Sequence, residues 1–189
     1  MRNQSNNYVT VLSTLAMLTA ISCVLVFLSF PFPLFPAFKY ELADVPILIA
    51  TFSFGPVAGL MVTAVAAFVQ AFILGQDSWI GFVMHLLATG SFAIMAGCVY
   101  RSTHTKKGAV IALILGVITM TAVMCLANYI LDPIFYGMQK EAVAALIVPA
   151  IIPFNLSKAG INAIVTFLVY KRISNMIHKF NARGKKEQA

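Results

Sequence analysis

The chain is organised in long apolar runs that a water-facing surface could not tolerate. The first covers residues 8–30, 23 positions without a charge. It is longer than the apolar core of a secretory signal. It also runs into Phe30-Pro31-Phe32-Pro33-Leu34-Phe35-Pro36 instead of a small-residue cleavage site, so it reads as a retained transmembrane helix. Pro31, Pro33 and Pro36 fix φ and remove N–H donors, which predicts an aromatic, extended loop. The next apolar segment, Asp44–Phe54, is short. At 1.5 Å per residue it reaches only about 17 Å of a ~30 Å hydrocarbon core, so it is a stunted span or a re-entrant turn, closed by Gly55-Pro56. Residues 57–74, 79–100 and 109–131 are three clear spans. A polar stretch over 132–141 precedes the last, roughly 148–170, whose start is broken by Pro149 and Pro153.

Composition agrees: 60% of residues are apolar, 10% are charged, and mean hydropathy is +0.90, whereas a soluble domain carries about 25% charged residues. The formal charge of +7 does not indicate nucleic acid, because the basic residues cluster beside apolar runs. Arg101, Lys106 and Lys107 share one loop, and Lys171, Arg172, Lys179, Arg183, Lys185 and Lys186 form a basic tail. If Asp44–Phe54 crosses, that loop, that tail and Arg2 share one face with only Glu187, while Lys39, Glu41, Asp44, Asp77, Asp132, Lys140 and Glu141 lie opposite. If it does not cross, the loop and the tail face opposite sides, against the positive-inside rule. The expected fold is therefore all-α, with six transmembrane helices, both termini cytoplasmic, and a short second helix after a Pro/Phe-rich outer loop. Residues 1–175 form one membrane domain and 176–189 a cytoplasmic tail. Cys23, Cys98 and Cys125 all lie inside apolar runs and read as small buried hydrophobes.

Polar residues inside a membrane are costly, which makes them candidates for function. Asn155, Lys158 and Asn162 share one stripe of the last span. Lys158 lies about 20 Å above the cytoplasmic flank. Asn128, Gln70 and His85 fall at similar heights on three other helices, which describes an outward-facing cup for a small molecule. Phe32, Phe35, Phe38, Tyr40 and Trp79 are placed to enclose a flat ligand there. Packing between helices is the competing explanation for the amides and for His85, but a lone ammonium needs a partner or a ligand. Small residues make a second pattern, with Ala16 and Ala20 on the first helix and Gly55, Gly59, Thr63 and Ala67 on the third. No GxxxxGK[ST], HExxH or GxSxG run occurs, so neither nucleotide hydrolysis nor other catalysis is expected of this chain.

The run through Pro36, then Tyr40-Glu41-Leu42-Ala43-Asp44-Val45-Pro46, Phe54-Gly55-Pro56, Leu126-Ala127-Asn128-Tyr129 and Pro153-Phe154-Asn155-Leu156-Ser157-Lys158, resembles the riboflavin-specific substrate-binding subunits, or S components, of energy-coupling-factor (ECF) transporters. The resemblance covers roughly residues 12–175. It implies riboflavin as bound substrate, no catalytic cofactor or metal, a transmembrane coupling subunit and two ABC ATPases as partners, and a bacterial plasma membrane. It also implies substrate contacts at Asn128, Asn155 and Lys158 and a coupling-subunit face at Ala16 and Ala20. Tyr40, Glu41, Asp44 and His85 complete the expected substrate site. Lys158 either donates to the flavin or is held by Glu41 or Asp44. A different vitamin, riboflavin 5′-phosphate (FMN), or a solitary ion-coupled carrier are the alternatives.

Overall fold

The computed structural model describes the backbone of residues 2–33, 35–75 and 78–186, and side chains within 9–33, 36, 38–75, 79–170 and 172. Asp77, Glu187 and the Phe35 side chain, all used in the sequence reading, lie outside them. In chain order the elements are α1 (Arg2–Phe27), β1 (Phe30–Phe32), β2 (Phe35–Tyr40), α2 (Asp44–Phe54), α3 (Pro56–Phe68), α4 (Ser78–Thr103), α5 (Lys106–Tyr136), α6 (Lys140–Leu146) and α7 (Ile152–Lys186). A π turn (Val69–Ile73) extends α3, and a second (Ile147–Ile151) joins α6 to α7. Five helical stretches are long and apolar enough to cross a bilayer, and α2 is a shorter apolar helix beside them.

The geometry of α2 explains how 11 residues complete a crossing. At its start Asp44 is bonded by Thr89 of α4 and Asn162 of α7. At its end Phe52 packs on Tyr100 and Tyr170, with ring centroids 4.7 and 5.6 Å apart. It therefore runs beside the inner half of α4, and the turn at Gly55 borders one cleft with Arg101 and His104 at the cytoplasmic end. The segment before it has already carried the chain down into the bundle. Gly55 takes φ 96°, a conformation that disfavours any side chain, and Pro56 opens α3 at a position where a missing N–H costs nothing.

The extended loop is more ordered than expected of an all-α chain. It is an antiparallel hairpin pairing Phe30 with Tyr40 and Pro31 with Lys39, with an irregularity before the Phe32–Phe35 pair. Two helix ends also depart from the sequence reading. Helix α5 continues through Pro133 to Tyr136, and the last span starts at Lys140 instead of 148, because a π turn accommodates Pro149. Backbone groups at membrane depth have no water to fall back on, so the chain keeps its helical bonding wherever a wider turn can absorb a proline.

The small-residue ridge on α3 is internal. Gly59 lies directly against Thr51 and close to Ala93, and Thr63 and Ala67 are buried. Gly116 of α5 seats the Phe92 ring in the same way. Ala16 and Ala20 of α1, in contrast, face outward. Cys98 is exposed rather than buried, whereas Cys23 and Cys125 are half-buried. Its place on the outer face of α4 puts it against lipid, where an apolar thiol costs little. Gly59→Ala should destabilise the protein by about 1–3 kcal/mol through overpacking. Gly160→Ala, where added atoms meet open space, should leave the thermal unfolding midpoint in detergent unchanged or higher.

Candidate functional site

Tyr40 to Asp44, linking the hairpin to α2, are held by side chains from four helices. Glu41, 3% exposed, accepts a 3.0 Å bond from Lys158 Nζ of α7 on Oε1 and a 3.1 Å bond from Gln70 Nε2 on Oε2. His85 Nδ1 of α4 lies 3.4 Å from the same Oε1. Asn162 of α7 donates to the Glu41 carbonyl at 3.2 Å and to Asp44 Oδ2 at 2.8 Å, while its own carbonyl accepts from the Tyr40 hydroxyl at 3.0 Å. Thr89 donates to Asp44 Oδ1 at 2.6 Å, and Ser22 of α1 to the Ala43 carbonyl at 2.6 Å. An ammonium on one oxygen and an amide N–H on the other give the Glu41 carboxylate the donors that a buried charge needs.

The charge pattern along the chain predicts an outer-face position for Glu41 and Asp44. The structure instead places both inside the bundle, because each finds enough donors there to replace water. Glu41 settles the partner of Lys158. Asp44 is satisfied by Thr89 and Asn162 instead.

Above this segment lies a cavity of about 390 Å³, within the range of small-molecule pockets. Glu41, His85, Asn128, Asn155 and Lys158 all line it, as does Gln70. Tyr40 and Asp44 do not; they brace the floor through Asn162. The amides of Asn128 and Asn155 each give one N–H to the carbonyl four residues back, Met124 at 2.6 Å and Ile151 at 2.8 Å. Each therefore keeps a carbonyl and a second N–H for a ligand. His85 Nε2 and Gln70 Oε1 are buried without a partner, and both belong to residues on the cavity wall. Among the described residues no cluster has the makings of a metal site.

The aromatic wall differs from expectation in its members. Phe38 of the hairpin stacks on Phe154 of α7 at 4.6 Å and 18°, and both line the cavity. Trp79 packs instead with Phe72 and Phe82 near the outer surface, away from the cavity. The sequence reading missed Met84, Met120, Met124, Asp132 and Tyr136. A signal for most of them exists, since Met120, Met124, Asn128, Asp132 and Tyr136 recur every four residues along α5.

Residues 11–170 match the family described as ECF transporter, substrate-specific component. "Riboflavin transporter RibU" of Staphylococcus aureus is 35% identical over 175 residues, covering 89% of this chain and 92% of that protein. "Riboflavin transporter FmnP" of Bacillus subtilis is 30% identical over 178 residues, covering 89% and 94%. A solved structure described as "Structure and mechanism of the S component of a bacterial ECF transporter" superposes with a TM-score of 0.79 at 37% identity, covering 89% of this chain and 97% of that one. A transition metal transporter superposes at 0.63 with 21% identity, so the fold by itself does not set the cargo.

Removing the Glu41 carboxylate should leave Lys158 buried without a counter-charge. Glu41→Ala is expected to cost about 3–5 kcal/mol in chemical denaturation. Adding Lys158→Met should recover part of that loss, a non-additivity that independent sites would not give.

Proposed function

This chain belongs to the substrate-specific components of ECF transporters, multi-pass proteins of the bacterial plasma membrane, and we propose that it captures riboflavin from outside the cell. The observation that carries the reading is the cavity wall itself, where two half-satisfied amides and an ammonium surround a space bounded by a stacked Phe pair and soft methionines. An isoalloxazine is flat, and its pyrimidine edge alternates carbonyl acceptors with an N–H donor. The Asn128 and Asn155 carboxamides offer the complementary pairs. Lys158 uses one of its three donors on Glu41 and has others for a flavin carbonyl or a ribityl hydroxyl. The unpaired His85 Nε2 and Gln70 Oε1 suit ribityl hydroxyls, which both donate and accept. Glu41 acts by aiming Lys158, Gln70 and His85, and Tyr40 and Asp44 by fixing Asn162 beneath them.

The charges on the wall favour a neutral vitamin over FMN. Lys39 and Lys158 are balanced by Glu41 and Asp132, which leaves no net positive field for a phosphate. Delivery across the membrane is assigned to partners, a transmembrane coupling subunit and two ABC ATPases, and catalysis of any kind is not assigned to this chain. The outward-facing Ala16 and Ala20 give α1 a surface on which a partner helix can approach closely.

Lys158→Ala and Asn128→Ala should each weaken riboflavin binding at least about tenfold, the loss of ~1.4 kcal/mol of hydrogen bonding. Equilibrium fluorescence quenching measures the affinity, and circular dichroism checks that the helices are retained. Unchanged affinity in both variants would refute the site, and FMN binding as tightly as riboflavin would refute the neutral-ligand assignment.

A further inference from the structure

A second concavity lies on the lipid-facing side, between α5 and α7, with a volume of about 510 Å³. Its walls are apolar, set by Val110, Ile114 and Ile118 on one helix and Gly160, Ile164 and Leu168 on the other. Ile114, Ile118, Ile164 and Leu168 are each more than half exposed, and beside Gly160 there is open space. Measured from Lys106, the wall on α5 begins about 6 Å into the membrane and ends about 18 Å in, so the groove occupies the inner leaflet of a ~30 Å core.

Its cytoplasmic end is basic. Lys106 and Lys107 open α5, and Arg172 follows the groove on α7; all three are exposed. The two helices reach the same level there, because Tyr170 of α7 bonds Tyr100, at the end of α4, through hydroxyls 2.6 Å apart. Every described carboxylate lies at or above the level of Asp44, so none offsets this charge. We infer that the groove holds one acyl chain of an anionic inner-leaflet phospholipid, with the headgroup phosphate bound among Lys106, Lys107 and Arg172. An apolar slot of one-leaflet depth beneath a cluster of cations has the shape and charge of such a lipid. Lipid is a better occupant than the coupling subunit, because the small-residue face proposed above for that subunit is on α1, whose main contacts are with α2 and α3.

Native mass spectrometry of the purified protein, titrated with phosphatidylglycerol and phosphatidylcholine of identical chains, tests the inference. Phosphatidylglycerol should be retained at least about fivefold better. Replacing Lys106, Lys107 and Arg172 together with alanine should abolish that preference. Gly160→Leu, whose added Cβ meets open space on the groove wall, should reduce retention of both lipids, and all variants should bind riboflavin normally. Equal retention of the two lipids, or an unchanged preference in the triple variant, would overturn the proposal. Gly160→Leu that impairs co-purification of the coupling subunit while sparing lipid retention would overturn it too, by giving the groove to a protein.

Discussion

The buried ion pair between Glu41 and Lys158 is the contact on which the rest depends. An ammonium in the middle of a membrane helix is tolerated only with a counter-charge close by, and the carboxylate that supplies it belongs to a segment with no regular structure of its own. Bringing Glu41 to Lys158 draws the chain from the outer surface down into the bundle. Gln70, His85, Thr89, Asn162 and Ser22 then satisfy the polar groups that descend with it. Such a pair adds little net stability over an apolar equivalent, but it fixes which segment occupies the space.

Two consequences follow for the architecture. Because the chain has already descended, an 11-residue helix suffices to finish the crossing, and α2 becomes one of the most buried elements of the fold. The same descent leaves a cup above Glu41 whose wall is partly made by the hairpin, through Phe38 and Lys39. Floor and lid are thus parts of one covalent segment. The residue that anchors the hairpin and the ammonium it holds, Glu41 and Lys158, therefore both line the cup.

Much of this was legible in the sequence, for physical reasons that differ by feature. Spans were readable because lipid imposes length and apolarity. Asn128, Asn155, His85 and Lys158 stood out because polar side chains are rare within spans, and all four line the cavity. Helix ends at Tyr136 and Lys140 were not readable, since the polar stretch over 132–141 suggested a break where α5 in fact continues through Pro133, and a π turn absorbs Pro149. Nor was the burial of Glu41 and Asp44, because a charge in a short loop between apolar runs looks the same whether it faces water or folds inward. The methionines on the wall carry no polar signal in the sequence; they reach the cavity because α5 presents every fourth residue from Met120 to Tyr136 to it.

Whether this ion-paired floor carries a cup for riboflavin is decided by absorbance and mass spectrometry on protein purified from cells grown in riboflavin-containing medium. The protein should be yellow with flavin absorbance and carry about one riboflavin per chain, since a wall of amides and a stacked Phe pair should hold the ligand through detergent extraction. A colourless protein that also fails to take up added riboflavin would contradict a riboflavin cup.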